Sequence, residues 1–387
     1  MSDWQEVTLQ DVVSVLGDGL HGTPIYDDKG EYYFVNGNNL SNGKILLKES
    51  TRRTSEAEYL KYKKQLNDRT ILLSINGTLG NVALYNNEKC FLGKSACYFN
   101  VKESVDKQFI RYVVTNKGFQ TYITEFAHGT TIQNLSLKTL REFPFELPPL
   151  TEQKAIASVL SSLDDKIDLL HRQNTTLERM AETLFRQWFV EEAQEDWEEK
   201  PLSFYGEIVC GKTPSKQNHA YFNGDVPFIK IPDMHGNPFI FKTEDTLTEL
   251  GKNSQNNKTV PPYSICVSCI ATVGLVSITT KPSQTNQQIN TIIPKHSKYR
   301  YFLYLTMKAS YDLLHAEASG GTATLNLNTG NFSRIAVPLP PDSLLLEFES
   351  IVDKVFNKIY QNQAQIQTLE KLRDNLLPKL MSGEVRL

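Results

Sequence analysis

The feature that most constrains this chain is that it repeats itself once. GTTIQNLSLKTLREFPFELPPL, beginning at Gly129, returns as GTATLNLNTGNFSRIAVPLPPD, beginning at Gly321. The offset of 192 pairs Asn134 with Asn326, Leu135 with Leu327, and Pro148-Pro149 with Pro340-Pro341. Upstream, TILLSINGTLGNVAL from Thr70 matches SICVSCIATVGLVSI from Ser264 at an offset of 194, pairing Ser74 with Ser268 and Gly80 with Gly274. One loop indel accounts for the drift. Solenoid units run to ~20–50 residues, so a period this long marks a duplicated domain pair. A length of 387 residues leaves each copy enough chain for its own core.

Each copy ends in a long helical pattern. After Pro149, about forty residues from Thr151 to Val190 contain neither Gly nor Pro. Their apolar seam is Ile156, Leu160, Leu163, Ile167, Leu170, Asn174, Leu177, Ala181, Leu184 and Trp188, with spacings alternating four and three. That is a coiled-coil heptad. The second copy carries the seam in the same phase: Phe348, Val352, Val355, Ile359, Asn362, Ile366, Leu369, Arg373, Leu376 and Leu380. An antiparallel pairing with Asn174 opposite Asn362 sets Leu160 against Leu376, Ile167 against Leu369 and Leu170 against Ile366. One polar pair can fix register at some cost in stability. At ~1.5 Å per residue each rod is ~60 Å long, which would hold two domains at opposite ends about a pseudo-two-fold axis.

Ahead of each helix the chain reads as mixed α/β. TILLSING, NVALY and SACYFNV are short apolar runs between turn residues and predict strands. KQFIRYVVTNKGFQTYITEFA and YRYFLYLTMKASYDLLHAEA predict helices with aromatic faces. The acidic run from Glu191 to Pro201 is the natural boundary between the halves. The expected fold is α+β: two duplicated α/β domains, residues 1–149 and 196–340, separated by two long antiparallel coiled-coil helices, residues 150–195 and 341–387.

FPFELPPLTEQKAIASVL, the matching IAVPLPPD and the closing LLPKLMSGEVRL resemble the specificity subunit of type I restriction-modification enzymes. The resemblance covers the whole chain, including the GTT-QNLS-type loop before each helix. Departures lie in the second half, where TATLNLN replaces the Gln-Asn-Leu-Ser core and PDSLLLEFE lacks the Glu-Gln of the first. The resemblance implies two target recognition domains that each read one half of a split, asymmetric DNA sequence. It implies helical spacers that dock two modification (methyltransferase) subunits, with restriction (nuclease and translocase) subunits joining that core. It also implies no catalytic centre and no cofactor in this chain, with S-adenosylmethionine held by the modification subunits and ATP and Mg by the restriction subunits.

The residues agree that catalysis is absent. VPPY at Val260–Tyr263 looks like an amino-methyltransferase motif, but Val260 offers no acceptor for an amino group, and no glycine-rich cofactor loop occurs. A turn entering a strand is the better reading. Cys266 and Cys269 form a lone C-x-x-C where the first copy has Leu72 and Ile75, which points to strand core and not to zinc. SGGTAT at Ser319 lacks the lysine of a phosphate-binding loop. A stand-alone methyltransferase would need such a motif, and a coiled-coil adaptor would leave the polar duplicated loops unexplained. Five cysteines, no apolar run of ~18 residues and no signal peptide point to a cytoplasmic protein with no membrane partner.

A net charge of −3 does not exclude nucleic acid, because the charge is uneven. Residues 1–150 are neutral, 151–200 carry −6, 201–340 carry +4 and 341–387 carry −1. The recognition domains are therefore neutral to basic. Lys44, Arg52, Arg53, Lys63 and Lys64, interleaved with tyrosines, form either a solvated helix face or a phosphate-contacting edge. Base reading needs side chains with paired donors and acceptors. In the first half, His21, Thr23, Tyr32, Asn36, Asn38 and Asn39 fit that need. In the second, Lys212, Thr213, Ser215, Lys216, Tyr221, Lys230 and Asp233 do. Both sets lie in polar, loop-rich stretches that contain a Gly and a Thr-Pro followed by an aromatic and a strand, and the two stretches differ strongly.

Overall fold

The computed structural model describes residues 4–129, 133–319 and 325–387. Contacts divide the chain into two units, Met1–Ile167 with Thr368–Leu387, and Asp168–Gln367. Both divisions fall inside long helices, a central one at Leu150–Arg186 and a C-terminal one at Asp342–Met381. Each unit therefore combines one α/β domain with a stretch of both helices.

In the first unit an antiparallel sheet runs in the order Val13–Asp18, Ala96–Val101, Thr70–Ser74, Val82–Leu84. Every residue of its two inner strands is buried, so both faces are covered. Alternation sorts the side chains. Ile71, Leu73, Cys97 and Phe99 pack with Phe109, Ile110 and Val113 and with Leu160 and Leu380 of the long helices. Leu72, Ala96 and Tyr98 face the other way, onto Val35, Leu40 and Leu92. That second layer is a small sheet of Arg53–Thr54, Tyr32–Val35 and Cys90–Leu92, in which the last two strands run parallel.

The second unit repeats this plan in the order Gly206–Cys210, Ile289–Pro294, Ile265–Ser268, Val276–Thr279, and adds Phe239–Ile240 at the edge. Its second layer again contains a parallel pair, Phe222–Ile229 with Gln284–Thr285. The loop after the matching central strands is built identically. Asn81 N donates to Ser74 Oγ at 2.8 Å, and Leu275 N to Ser268 Oγ at 2.9 Å. Gly80 and Gly274 take φ of +81° and +90°, the left-handed region that glycine enters without strain.

Three sequence expectations change. Each aromatic stretch forms two helices, Lys107–Thr115 with Lys117–Glu125, and Arg300–Ala309 with Tyr311–Ala318. Asn116 divides the first pair because its side chain accepts from Gly118 N and restarts the helix as a cap. The basic stretch around Lys44–Lys64 is no continuous helix face, since only Glu56–Tyr62 is helical and Lys44–Ile45 pairs as a strand. The central helix passes into a π-turn over Gln187–Glu191 before the acidic linker.

Cys266 and Cys269 are core residues, 0% and 2% exposed, and burial pushes their thiols up to about 12 and about 11. Val260 is buried and exchanges both backbone hydrogen bonds with Ser283. Pro261 O accepts from the hydroxyls of Ser264 and Thr279, which makes the VPPY string a structural turn. Most of the SGGTAT string and part of the Gly129 loop lie outside the described residues.

The long helices meet antiparallel in each unit. In the second, Asn362 Nδ2 donates to Asn174 Oδ1 at 2.9 Å, and Trp188 reaches Phe348 with ring centroids 6.0 Å apart. Moving up one helix moves down the other. In the first unit Asp164 sits between Arg373, at 3.1 Å, and Arg111, and accepts from Tyr112 Oη at 2.7 Å. The Asn pair is buried, and Asn174 Nδ2 and Asn362 Oδ1 have no partner.

Candidate nucleic-acid interface

In the first domain Tyr32 opens a strand and stacks on Tyr59 of the following helix, with centroids 4.1 Å apart and planes 11° from parallel. Lys89 lies over Tyr32 and bonds Glu31 at 2.5 Å, holding that carboxyl below its usual range. Arg53 covers Tyr33 and Arg52 covers Tyr26. This edge interleaves cations with aromatic faces, and Arg52 and Lys63 are exposed. Lys44 is exposed and Lys64 half-buried.

The candidate base readers divide. Asn39 is buried: its Nδ2 donates to Leu46 O and Thr51 Oγ1, and its Oδ1 accepts from Asn36 N. Asn36 Oδ1 accepts from Ser95 Oγ. These two amides hold the loop together and leave Asn38, exposed between them, as the outward group. Asp233 repeats the device, accepting from Lys230 N and Glu244 N, while Lys230 pairs with Asp245. Asn-x-x-Asn has the capping-box spacing, and Lys-x-x-Asp supplies its second half alone, since a lysine side chain accepts no hydrogen bond. Thr23, Lys212, Ser215 and Lys216 are exposed, and Tyr221 is half-buried.

A cleft near His21 in the first domain gathers residues that lie far apart in the chain. His21 Nε2 meets Asp18 Oδ2 at 2.5 Å, and Asn76, Lys94 and Asn134 line the same space. Asn76 Nδ2 donates to Asn134 Oδ1 at 3.4 Å. The second domain builds the corresponding place from the same backbone bonds. Leu135 N donates to Ile75 O at 2.9 Å, and Leu327 N to Cys269 O at 2.8 Å. Leu20 N donates to Leu92 O, and Lys212 N to Thr285 O. Lys212 is thus the counterpart of Leu20, and Thr213 that of His21. Thr213 Oγ1 donates to Gln287 Oε1 at 2.7 Å. Lys94, Asn76 and Gln287 escape sequence reasoning because only the fold brings them to His21 and Thr213.

Two copies of one α/β frame with different surface loops, each carried on paired helices, define a duplicated recognition protein. The family model for the type I restriction modification DNA specificity domain matches residues 1–179 and 194–371, and the chain belongs to this family, the specificity subunits of type I restriction-modification enzymes. It is 37% identical over 337 residues to the type I restriction enzyme HindI specificity subunit of Haemophilus influenzae, covering 68% of this chain and 73% of that one. It is 26% identical to the MjaIX specificity subunit of Methanocaldococcus jannaschii over 100% of this chain and 94% of that one. The crystal structure of a type I restriction-modification S subunit from M. genitalium shares the fold, with a TM-score of 0.64, 20% identity, and 98% and 96% of the two chains covered. No described helix is long and apolar enough to cross a membrane, and no described group of three or more His, Cys, Asp or Glu could hold a metal.

Proposed function

We propose that this chain supplies sequence specificity to a cytoplasmic type I complex and performs no chemistry itself. Its first domain reads one half of a split, asymmetric duplex target and its second reads the other. Two modification subunits dock on the long helices, and restriction subunits join that assembly. S-adenosylmethionine is then the cofactor of the modification subunits, and ATP and Mg serve the restriction subunits. The observation that carries this reading is the duplication: one backbone frame, bonded alike in both copies, presents different side chains. Leu169 and Met180, exposed on the central helix at 39% and 57%, are apolar groups available to a docking subunit. Purified alone, the chain should transfer no methyl group. With a modification subunit and S-adenosylmethionine it should methylate adenines at one bipartite sequence. Methylation by the chain alone, or by the complex at random sites, would overturn the reading.

The Asn174–Asn362 pair is proposed to hold the helical register, and hence the gap between the half-sites. Asn362→Leu alone strands Asn174 and should lower stability by about 1–3 kcal/mol. Converting both to Leu removes the orphaned donor and acceptor together, so the double variant should melt at or above the wild-type temperature. Its methylation pattern should extend to targets with altered gaps. An unchanged gap in the double variant would assign register to the apolar seam alone.

A further inference from the structure

We infer that base edges of duplex DNA are read at the cleft of His21, Asn76, Lys94 and Asn134 in the first domain and at the corresponding residues Thr213, Ile270, Gln287 and Asn326 in the second, where Thr213 bonds Gln287 and Ile270 bridges to Asn326. This rests on the reading of the chain as a DNA specificity subunit. Four pairs of equivalent backbone bonds place the two sets of residues in correspondence. Besides the two pairs given above, Gly19 N donates to Ala96 O and Gly211 N to Ile289 O, both at 3.1 Å. Ile75 N donates to Ser95 O at 3.0 Å, and Cys269 N to Gln288 O at 2.8 Å. These bonds make Lys94 the counterpart of Gln287, and Asn76 that of Ile270.

The frame is kept while its lining changes. Lys94 becomes Gln287, His21 becomes Thr213 and Asn76 becomes Ile270, whereas Asn134 is kept as Asn326. Two readers of different half-sites require this combination, because contacts to bases must differ while their placement must not. The first cleft's chemistry suits a purine edge. With Asn76 Nδ2 committed to Asn134 Oδ1, Asn76 Oδ1 remains as an acceptor beside the Asn134 Nδ2 donor. An acceptor next to a donor matches the N6–H and N7 of adenine, and Lys94 adds a donor for a neighbouring guanine. The second set offers an amide at Gln287 and an apolar contact at Ile270, which suits a thymine methyl. By contrast, Asn36 commits its Oδ1 to Ser95, and Asn39 and Asp233 spend their polar atoms on Leu46 and Thr51 and on the backbone of Lys230 and Glu244.

The test uses the complex of this chain with its modification subunit, methylating a DNA library randomised over both half-sites. Asn76→Ala and Lys94→Ala should each reduce discrimination in one half-site about tenfold or more while the other half-site stays as selective as in the wild type. Gln287→Ala should do the reverse. Lys94→Gln, which installs the second copy's residue on an exposed position, should change the preferred base and not merely weaken it. If Asn76→Ala abolishes methylation altogether, Lys94→Gln decides. Equal losses across all sequences would mark these side chains as phosphate contacts, and unchanged preferences would place base reading elsewhere; either overturns the inference. Failure of the wild-type complex to select any split sequence would instead overturn the functional reading beneath it.

Discussion

Phe356→Ala is expected to lower the stability of the second unit by about 3–5 kcal/mol. Phe356 is fully buried on the C-terminal helix. Its ring stacks on Tyr301 at 4.3 Å with planes 10° apart, and meets Tyr304 and Phe239 edge-on at 5.3 and 6.1 Å. It therefore joins the C-terminal helix to the helix Arg300–Ala309 and to the edge strand Phe239–Ile240 of the sheet. Three rigid aromatic neighbours cannot collapse into the space it leaves, so the cavity cost adds to the lost transfer energy. Hydrogen exchange should show protection falling at Ile265–Ser268 and holding at Thr70–Ser74, since those strands belong to different units. A loss under about 1 kcal/mol would mean the helix is not seated by this ring.

The helix that carries Phe356 was readable in advance because a seam repeating at four and three survives any detail of its partner. The duplicated sheet was readable for a related reason: buried strands tolerate few changes, so Ser74 and Ser268, or Gly80 and Gly274, stay recognisable across the repeat. The break at Asn116 was not, because a capping side chain and an exposed helix residue look alike until the backbone turns. The site was less legible still. Asn36, Asn38 and Asn39 are one residue type in one loop, yet one anchors, one is exposed and one is buried. Hydrogen bonds to Ser95, Leu46 and Thr51 decide among them, and those partners are supplied by tertiary structure. The approach of Lys94 to His21 depends on the parallel bridge of Leu20 with Gly93, which no local pattern announces.

Glu349→Gln is expected to stabilise the second unit at pH 8 and to change nothing near pH 4.5. The Glu349 side chain is 12% exposed, its Oε2 has no hydrogen-bond partner, and its nearest cation, Arg300, is 4.0 Å away and shared with Asp353 at 3.5 Å. Burial outweighs that attraction and raises the carboxyl from 4.5 to about 7. The folded state therefore holds a proton that the unfolded chain has released between those values, so stability falls as pH rises from about 4.5 to about 7 and is level above. At ~1.36 kcal/mol per pH unit, a rise from 4.5 to about 7 caps the loss at about 3 kcal/mol. Glutamine keeps the shape and removes the titration. Melting temperatures of the two proteins should coincide at pH 4.5 and separate progressively up to pH 7, with the variant higher. A variant lower at pH 8 would show that the Arg300 pair outweighs desolvation after all. The first copy has Ala157, 4% exposed, where the second has Glu349, and Ser161 where the second has Asp353. This pH dependence should therefore be confined to the second unit, with Ile265–Ser268 losing protection as pH rises while Thr70–Ser74 does not.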